Sequence, residues 1–253
     1  MECAIRKPYQ GIINIIRFNR HFYLAAGFIF SFLVLARIFF FPALLLPVAA
    51  FLLAASVLIS LIASYYIYDL SDLYKFNWLN NLEISKERII ANIHAGFDET
   101  SPLLFEKFGF TEMHVLDFYD PMKHTEISIK RARKTQKTYA GTKKITTSEI
   151  SLQTSSVDII FLFLSAHEIR NKKERILFFK KLRDCIHEEG KIIVVEHLRD
   201  IPNFLAFSIA YLHFYSRNEW LNTFKAAKLK MCSEYKINPF ISAFILEKYG
   251  TAS

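Results

Sequence analysis

Two pairs of side chains invite a chemical reading, His167-Glu168 and Glu196-His197. Each follows an apolar run, residues 157–164 and 192–195, that reads as a fully buried strand, so each pair falls at a carboxyl end, where open α/β sheets place their ligands. An imidazole titrates near neutral pH and suits proton transfer, which makes the two neighbouring His-Glu pairs candidates for acid-base work. Either histidine could equally be a helix-cap or hydrogen-bonded structural group. His94, His124, His167 and His197 would all lie toward the same rim, but no two have the separation that recurs in zinc or iron sites, and no metal is expected. Cys3, Cys185 and Cys232 are odd in number and widely spaced. They supply neither a disulfide framework nor a zinc motif and agree with a reducing compartment.

These groups need a sheet to hold them, and the chain after Asn80 alternates short β-rich runs with helical ones, the pattern of βαβ units and a mostly parallel sheet. Strands are expected over residues 88–93, 113–118, near 144–147, 157–164 and 192–195. The last of these starts after Glu188-Glu189-Gly190-Lys191, which reads as the punctuation of a helix end. Thr100-Ser101-Pro102 has the form of a helix cap with proline at the first turn. Residues 172–186 carry Phe178, Leu182 and Ile186 on one face of a helix. A helix near residues 220–227 precedes two strands, about 230–237 and 240–247, joined by an Asn238-Pro239 turn as an antiparallel edge hairpin.

The first third is of another kind. Of the chain's 253 residues 52% are hydrophobic and 22% charged, yet from Phe22 to Tyr68 the one charged side chain is Arg37. The two apolar runs are each about the length that crosses a bilayer, roughly 20 residues. A cleavable signal peptide explains them poorly, since a second run follows at once without a cleavage site. The expectation is a helical hairpin, residues 22 to about 36 and about 43 to 67, following a basic segment 1–21 and leading through an interfacial linker, 69–84, to a domain over 85–253. Arg6, Lys7, Arg17 and Arg20 precede the first helix, so both ends should face the cytoplasm. Tyr65, Tyr66, Tyr68, Tyr74 and Trp78 would mark the membrane interface. Ala49, Ala50, Ala54, Ala55 and Ser56 would permit close packing with a second copy, a homo-oligomer through the hairpin.

The net charge of +8 has two sources. Five basic residues against one acidic precede residue 69, and Lys130, Arg131, Arg133, Lys134, Lys137, Lys143 and Lys144 follow in one stretch. Beside a bilayer this patch would meet the anionic leaflet or an anionic head group, and a merely solvated face is the plain alternative. It lacks the interleaved aromatics of a nucleic-acid site, and no nucleic acid is expected.

Residues 155–160 (Ser-Ser-Val-Asp-Ile-Ile), 182–195 and 220–229 together resemble the class I S-adenosylmethionine-dependent methyltransferases, especially the branch of the ubiquinone and menaquinone enzymes. The resemblance spans most of residues 85–250. It implies an α/β Rossmann-like sheet of seven strands whose last is antiparallel, and S-adenosylmethionine as cofactor. It assigns the ribose hydroxyls to Asp117, the adenine to Phe118 and Thr146, the loop after the first strand to His94, Gly96 and Asp98, and a place at the cofactor to Ser165. The family's glycine-rich loop is reduced here to Gly96. The catalytic residues would be His167, Glu168, Glu196 and His197, since a sulfonium methyl asks of the protein mainly alignment and a base.

A membrane hairpin on such an enzyme implies a lipophilic acceptor: quinone-like, an aromatic lipid or a lipid head group. Residues 201–215 are uncharged and too short to span; they are expected to form a lid dipping into the bilayer surface, or an ordinary buried helix. Two further classes stay open, a non-catalytic membrane scaffold that kept the fold and a nicotinamide reductase on a similar sheet.

Overall fold

The computed structural model describes residues 6–39, 44–82, 84, 88–124, 126–135 and 138–250. Its centre is a seven-stranded sheet of β1 (Ile89–His94), β2 (Glu112–Asp117), β3 (Lys143–Lys144), β4 (Val157–Phe163), β5 (Ile186–His197), β6 (Leu229–Asn238) and β7 (Ile241–Lys248), in the order β3-β2-β1-β4-β5-β7-β6. β1 to β5 pair in parallel, and β7 runs antiparallel to both β5 and β6, as the resemblance implied. The parallel strands are apolar on both faces because both are covered. Ala91, Ile93, Ile160, Leu162, Ile192 and Val194 face one core with Phe178, Phe179, Trp220 and Phe224. Ile90, Ile159, Phe161, Phe163, Ile193 and Val195 face the other with Ile67, Leu73, Phe76 and Leu79.

α4 (Ser101–Phe108), α5 (Ile127–Arg133), α6 (Lys172–Cys185), α7 (Ile201–Phe207) and α8 (Arg217–Ala226) connect the strands. Two sequence boundaries are corrected. β5 begins at Ile186, so Glu188-Glu189-Gly190-Lys191 belongs to a bulge inside the strand: Val157 pairs with Ile186 while Ile159 pairs with Lys191. A bulge lets the strand absorb the extra residues without losing its inward face. β3 is shorter than expected, and Thr146 and Thr147 lie beyond it.

Ahead of the sheet stand α1 (Gln10–Phe18), α2 (Arg20–Phe39) and α3 (Leu45–Tyr65), which runs on as a π-helical turn to Leu70. Arg20–Phe39 and Leu45–Leu70 are long and apolar enough to cross a membrane, and only 6% of the apolar window of each is buried. Phe28, Phe32 and Phe51 are 75%, 69% and 69% exposed, whereas a soluble core helix would cover such rings. The connection at residues 40–43, with Pro42, lies outside the described residues, as do Cys3, Thr125 and Lys137.

The linker expectation is overturned. Leu73, Phe76, Trp78 and Leu79 are buried in the second core, so residues 69–82 are part of the domain rather than a tether. Trp78 and Tyr68 consequently do not form an interfacial belt; Trp78 packs on Phe163 and Tyr68 reaches the strand ends. The basic segment is likewise docked, because Asp69 accepts the Gly11 and Ile12 N–H groups at 2.8 Å each and caps α1 where its first amides lack partners. Gly11 is required by close approach: a Cβ there would fall well inside contact distance of Tyr68 Cβ.

Candidate functional site

The carboxyl ends of β1, β2, β4 and β5 converge on one rim, and the side chains there divide into two groups. The first lies around β1 and β2. Asp117 closes β2 opposite His94; its Oδ1 accepts the Tyr119 N–H at 2.9 Å and its Oδ2 accepts from Arg133 Nη1 at 3.0 Å. The Arg133 guanidinium also lies over the Tyr119 ring, 4.0 Å from its centroid. Gly96 has φ +91°, and a Cβ there would collide with Arg133 Nη1. Glycine therefore serves both the left-handed turn and the approach of the arginine. Of the seven basic residues expected to face a membrane, Arg133 is turned onto Asp117, and Arg131 donates to Phe18 O at 2.8 Å.

His94 Nδ1 accepts the Gly96 N–H at 3.0 Å, which leaves the proton on Nε2. That buried Nε2 has no partner among the described residues, and the ring lines a cavity. Asp98 is placed differently from expectation. Its Oδ1 accepts the Thr100 and Ser101 N–H groups at 3.0 and 2.9 Å and caps α4, whose Thr100 makes no side-chain cap bond. A small cavity of about 160 Å³ lies beyond Asp117, lined by Phe118, Tyr119, His124, Ile145 and Thr146. Phe118 and Thr146 are thus brought together. Ser165 ties β4 to β1 through a bond to Ile93 O.

The second group lies at β4 and β5. The two His-Glu pairs are crossed rather than separate: His167 Nδ1 bonds Glu196 Oε2 at 2.7 Å, and the His167 N–H donates to Glu196 Oε1 at 3.1 Å. Glu196 is fully buried, so it supports His167 and does not face the rim. Burial opposes a charge on His167, but Glu196 and Glu168 outweigh it and raise the pKa to about 10. Burial would raise Glu168, yet its bond to His167 prevails and holds it at about 2. Both carboxylates favour the protonated ring of His167, which argues against the role of base expected for it.

His197 is the opposite case. Burial lowers its pKa to about 4 against the hydrogen bond to Asn203, so the ring is neutral. Its Nε2 meets the Tyr68 hydroxyl at 2.8 Å and its Nδ1 meets Asn203 Oδ1 at 3.0 Å. Asn203 Oδ1 can only accept, which puts the ring proton on Nδ1 and makes Nε2 the acceptor for Tyr68. The ring stacks on Phe214 at 4.6 Å.

Tyr68, Asn203, His213 and Arg133 were missed as site residues. Tyr68 and Asn203 sit in stretches that composition assigns to membrane and lid, and their partners lie 129 and 6 residues away. Of the four, Asn203 and His213 fall in the uncharged run at 201–215. It forms α7 and a 3-10 turn, Ser208–His213, packed against α3.

His94 of the first group and His167, Glu168 and His197 of the second line one cavity of about 870 Å³. Its domain wall includes His94, Ser165, His167, Glu168 and His197, and its other wall is built by Phe18, Phe22, Ser56, Ser60 and Ser64 of the N-terminal helices. The three serines recur every four residues on one face of α3, and the buried Ser64 hydroxyl has no partner among the described residues.

No protein-family model and no curated protein matches this chain by sequence. Solved structures do. An S-adenosylmethionine-dependent methyltransferase from Aquifex aeolicus aligns over 70% of this chain and 93% of its own, at 15% identity and a TM-score of 0.53. Similar matches are one from Methanosarcina mazei (68% and 97%, 14%, 0.51) and one from Clostridium acetobutylicum (70% and 90%, 10%, 0.50). At these identities the likeness is one of fold, and residues 88–250 have the sheet order and antiparallel seventh strand of the class I methyltransferase fold.

Proposed function

We propose that this protein is an S-adenosylmethionine-dependent methyltransferase, held in a membrane by its two apolar helices and acting on a lipophilic acceptor of the quinone-like, aromatic-lipid or lipid-head-group kind. The observation that carries the reading is the shared cavity, whose walls come from the strand ends on one side and from apolar helices on the other. An acceptor partitioned into the bilayer would reach the rim between α2 and α3 without crossing water. The proposed orientation puts the domain and the N-terminal segment in the cytoplasm, at the inner membrane if the protein is bacterial.

The residues present fit the cofactor. His94 Nε2 is a buried donor awaiting an acceptor, Asp117 is the carboxylate for a ribose diol, and the Phe118–Thr146 cavity beside it suits a flat heterocycle. Arg133 must release Asp117 for this to happen. When bound, S-adenosylmethionine supplies an electrophilic methyl group. The protein's part is to hold the acceptor and take its proton. In this reading the acceptor's proton passes to Tyr68 Oη as the Tyr68 proton passes to His197 Nε2, with Asn203 fixing the tautomer.

Arg133 on Asp117 and the lost glycines favour a second reading, a scaffold that no longer binds cofactor. Calorimetric titration of S-adenosylmethionine into the detergent-solubilised full chain separates them. Saturable binding abolished by Asp117→Ala is expected, followed by methyl incorporation into a membrane lipid extract; no binding to folded protein would establish the scaffold.

A further inference from the structure

We propose that His167, Glu168 and His213 form a site for one divalent first-row metal ion in the wall of the large cavity. Each offers one ligand atom, and the three atoms lie within 4.8 Å of one another. A four-coordinate ion with bonds of about 2.1 Å holds its ligands roughly 3.4 Å apart, and His167 Nε2 and Glu168 Oε1 are already 3.5 Å apart. Two imidazoles and a carboxylate suit zinc or ferrous iron and leave coordination positions open.

The surroundings carry the argument further than the ligands alone. Each imidazole has a carboxylate behind it on Nδ1: Glu196 at 2.7 Å from His167 and Glu126 at 3.0 Å from His213. That arrangement fixes the ring so that Nε2 points away from the carboxylate, and it is how proteins support metal-bound histidines. Glu196 is fully buried and the Glu168 side chain is only 10% exposed, so little water screens the two carboxylates, and the ion would take the place of the proton they hold on His167 Nε2. Arg170 Nη2 contacts Glu126 at 3.3 Å and both ring nitrogens of His213, so it must leave Nε2 for an ion to bind there. Its side chain is 40% exposed, which leaves it room to turn into solvent when an ion enters.

All three ligands line the cavity, so the open positions face the acceptor. Resting on the methyl-transfer reading, the ion would bind an acceptor hydroxyl oxygen, orient it and ease loss of its proton toward Tyr68. The acceptor is then an oxygen nucleophile rather than a carbon one.

The test uses the full chain in detergent, stripped with chelator and titrated with Co²⁺, whose visible bands report imidazole ligation, with Zn²⁺ as competitor. One equivalent of Co²⁺ displaced by Zn²⁺ is expected. Glu196→Gln should weaken it by roughly 10- to 100-fold, and Glu168→Gln and His213→Ala by more, with melting curves confirming folded variants. Absent bands, or bands that Glu168→Gln and His213→Ala leave unchanged, overturn the site. S-adenosylmethionine binding on the same preparation keeps the two readings apart: cobalt bound without it supports the site and retires methyl transfer, while cofactor bound without cobalt overturns the site alone.

Discussion

Gly96→Ala and Arg133→Ala together measure how the cofactor wall is held. Alanine at φ +91° costs about 1–2 kcal/mol from left-handed backbone strain alone. Its Cβ also collides with the Arg133 guanidinium, which must abandon Asp117. A hydrogen bond to a charged group contributes about 1.5–3 kcal/mol, and the 29% exposure of the Arg133 side chain places this one at the lower end, near 1.5 kcal/mol. Gly96→Ala should therefore cost about 3 kcal/mol with Arg133 present and about 1.5 kcal/mol in an Arg133→Ala background, a coupling of about 1.5 kcal/mol. The assay is thermal unfolding of the four detergent-solubilised proteins, in which each kcal/mol moves the midpoint by about 2–4 °C. Cofactor titration gives an independent reading: Arg133→Ala alone frees Asp117 and should tighten binding by about tenfold, equivalent to about 1.4 kcal/mol. Equal penalties for Gly96→Ala in both backgrounds would refute the reasoning, since the strain term is common and only the collision differs.

Tyr68→Phe removes the donor to His197 Nε2 and should lower methyl transfer by roughly 10²- to 10⁴-fold with cofactor binding unchanged; parallel loss of both would mean Tyr68 only holds the fold. Asn203→Ala strands His197 Nδ1 and Phe240 O and leaves Asp200 Oδ1 with only the backbone N–H of residue 203, a loss of about 2 kcal/mol that should appear as a midpoint lower by about 4–8 °C. Because burial holds His197 at about 4, its neutral, proton-accepting form persists well below the usual histidine range, so the acid limb of kcat should fall near pH 4; a limb near pH 6.5 would exclude His197. The chain should stay with the membrane pellet on alkaline carbonate extraction, and release into the supernatant would contradict the spanning reading.

How much of this was legible depended on how local each signal is. The sheet was readable because buried parallel strands are nearly unbroken apolar runs, and residues 157–164 or 192–195 announce themselves without knowledge of their neighbours. The bulge at Glu188-Glu189-Gly190-Lys191 was not, because a charged stretch with a glycine signals a turn locally, and only pairing with β4 shows that the strand had already begun. Site residues divide the same way. Asp117 and Gly96 lie at the strand ends where the resemblance put them, while the bond from Asp98 to the first amides of α4 was not foreseen, because a short acid after a strand caps a helix with the same residue type that would hold a ligand. His167 and His197 were singled out together and given one chemistry, whereas their surroundings differ. Their opposite shifts come from Glu196 beside His167 and from burial around His197, and neither leaves a trace in the spacing.

Tyr68 also changes what the N-terminal helices are. An anchor needs only apolar length, and α2 and α3 have that. Yet the end of α3 sends Tyr68 to His197, Asp69 to the first amides of α1, and Ile67 into the core beneath β4. Glu99, just after β1, receives Arg6 at 3.0 Å and Gln10 at 2.7 Å and so binds the same helices from the domain side. Removing residues 1–70 would therefore expose the second core, leave Glu99 a buried carboxylate without its cation, and take the hydroxyl from His197. In the many folds where a tether joins a membrane helix to a domain, the domain keeps its site when cut free. Here the helix end is a wall of the site, and a lipophilic acceptor approaching along α3 would pass the serine face and meet Tyr68 before the strand ends.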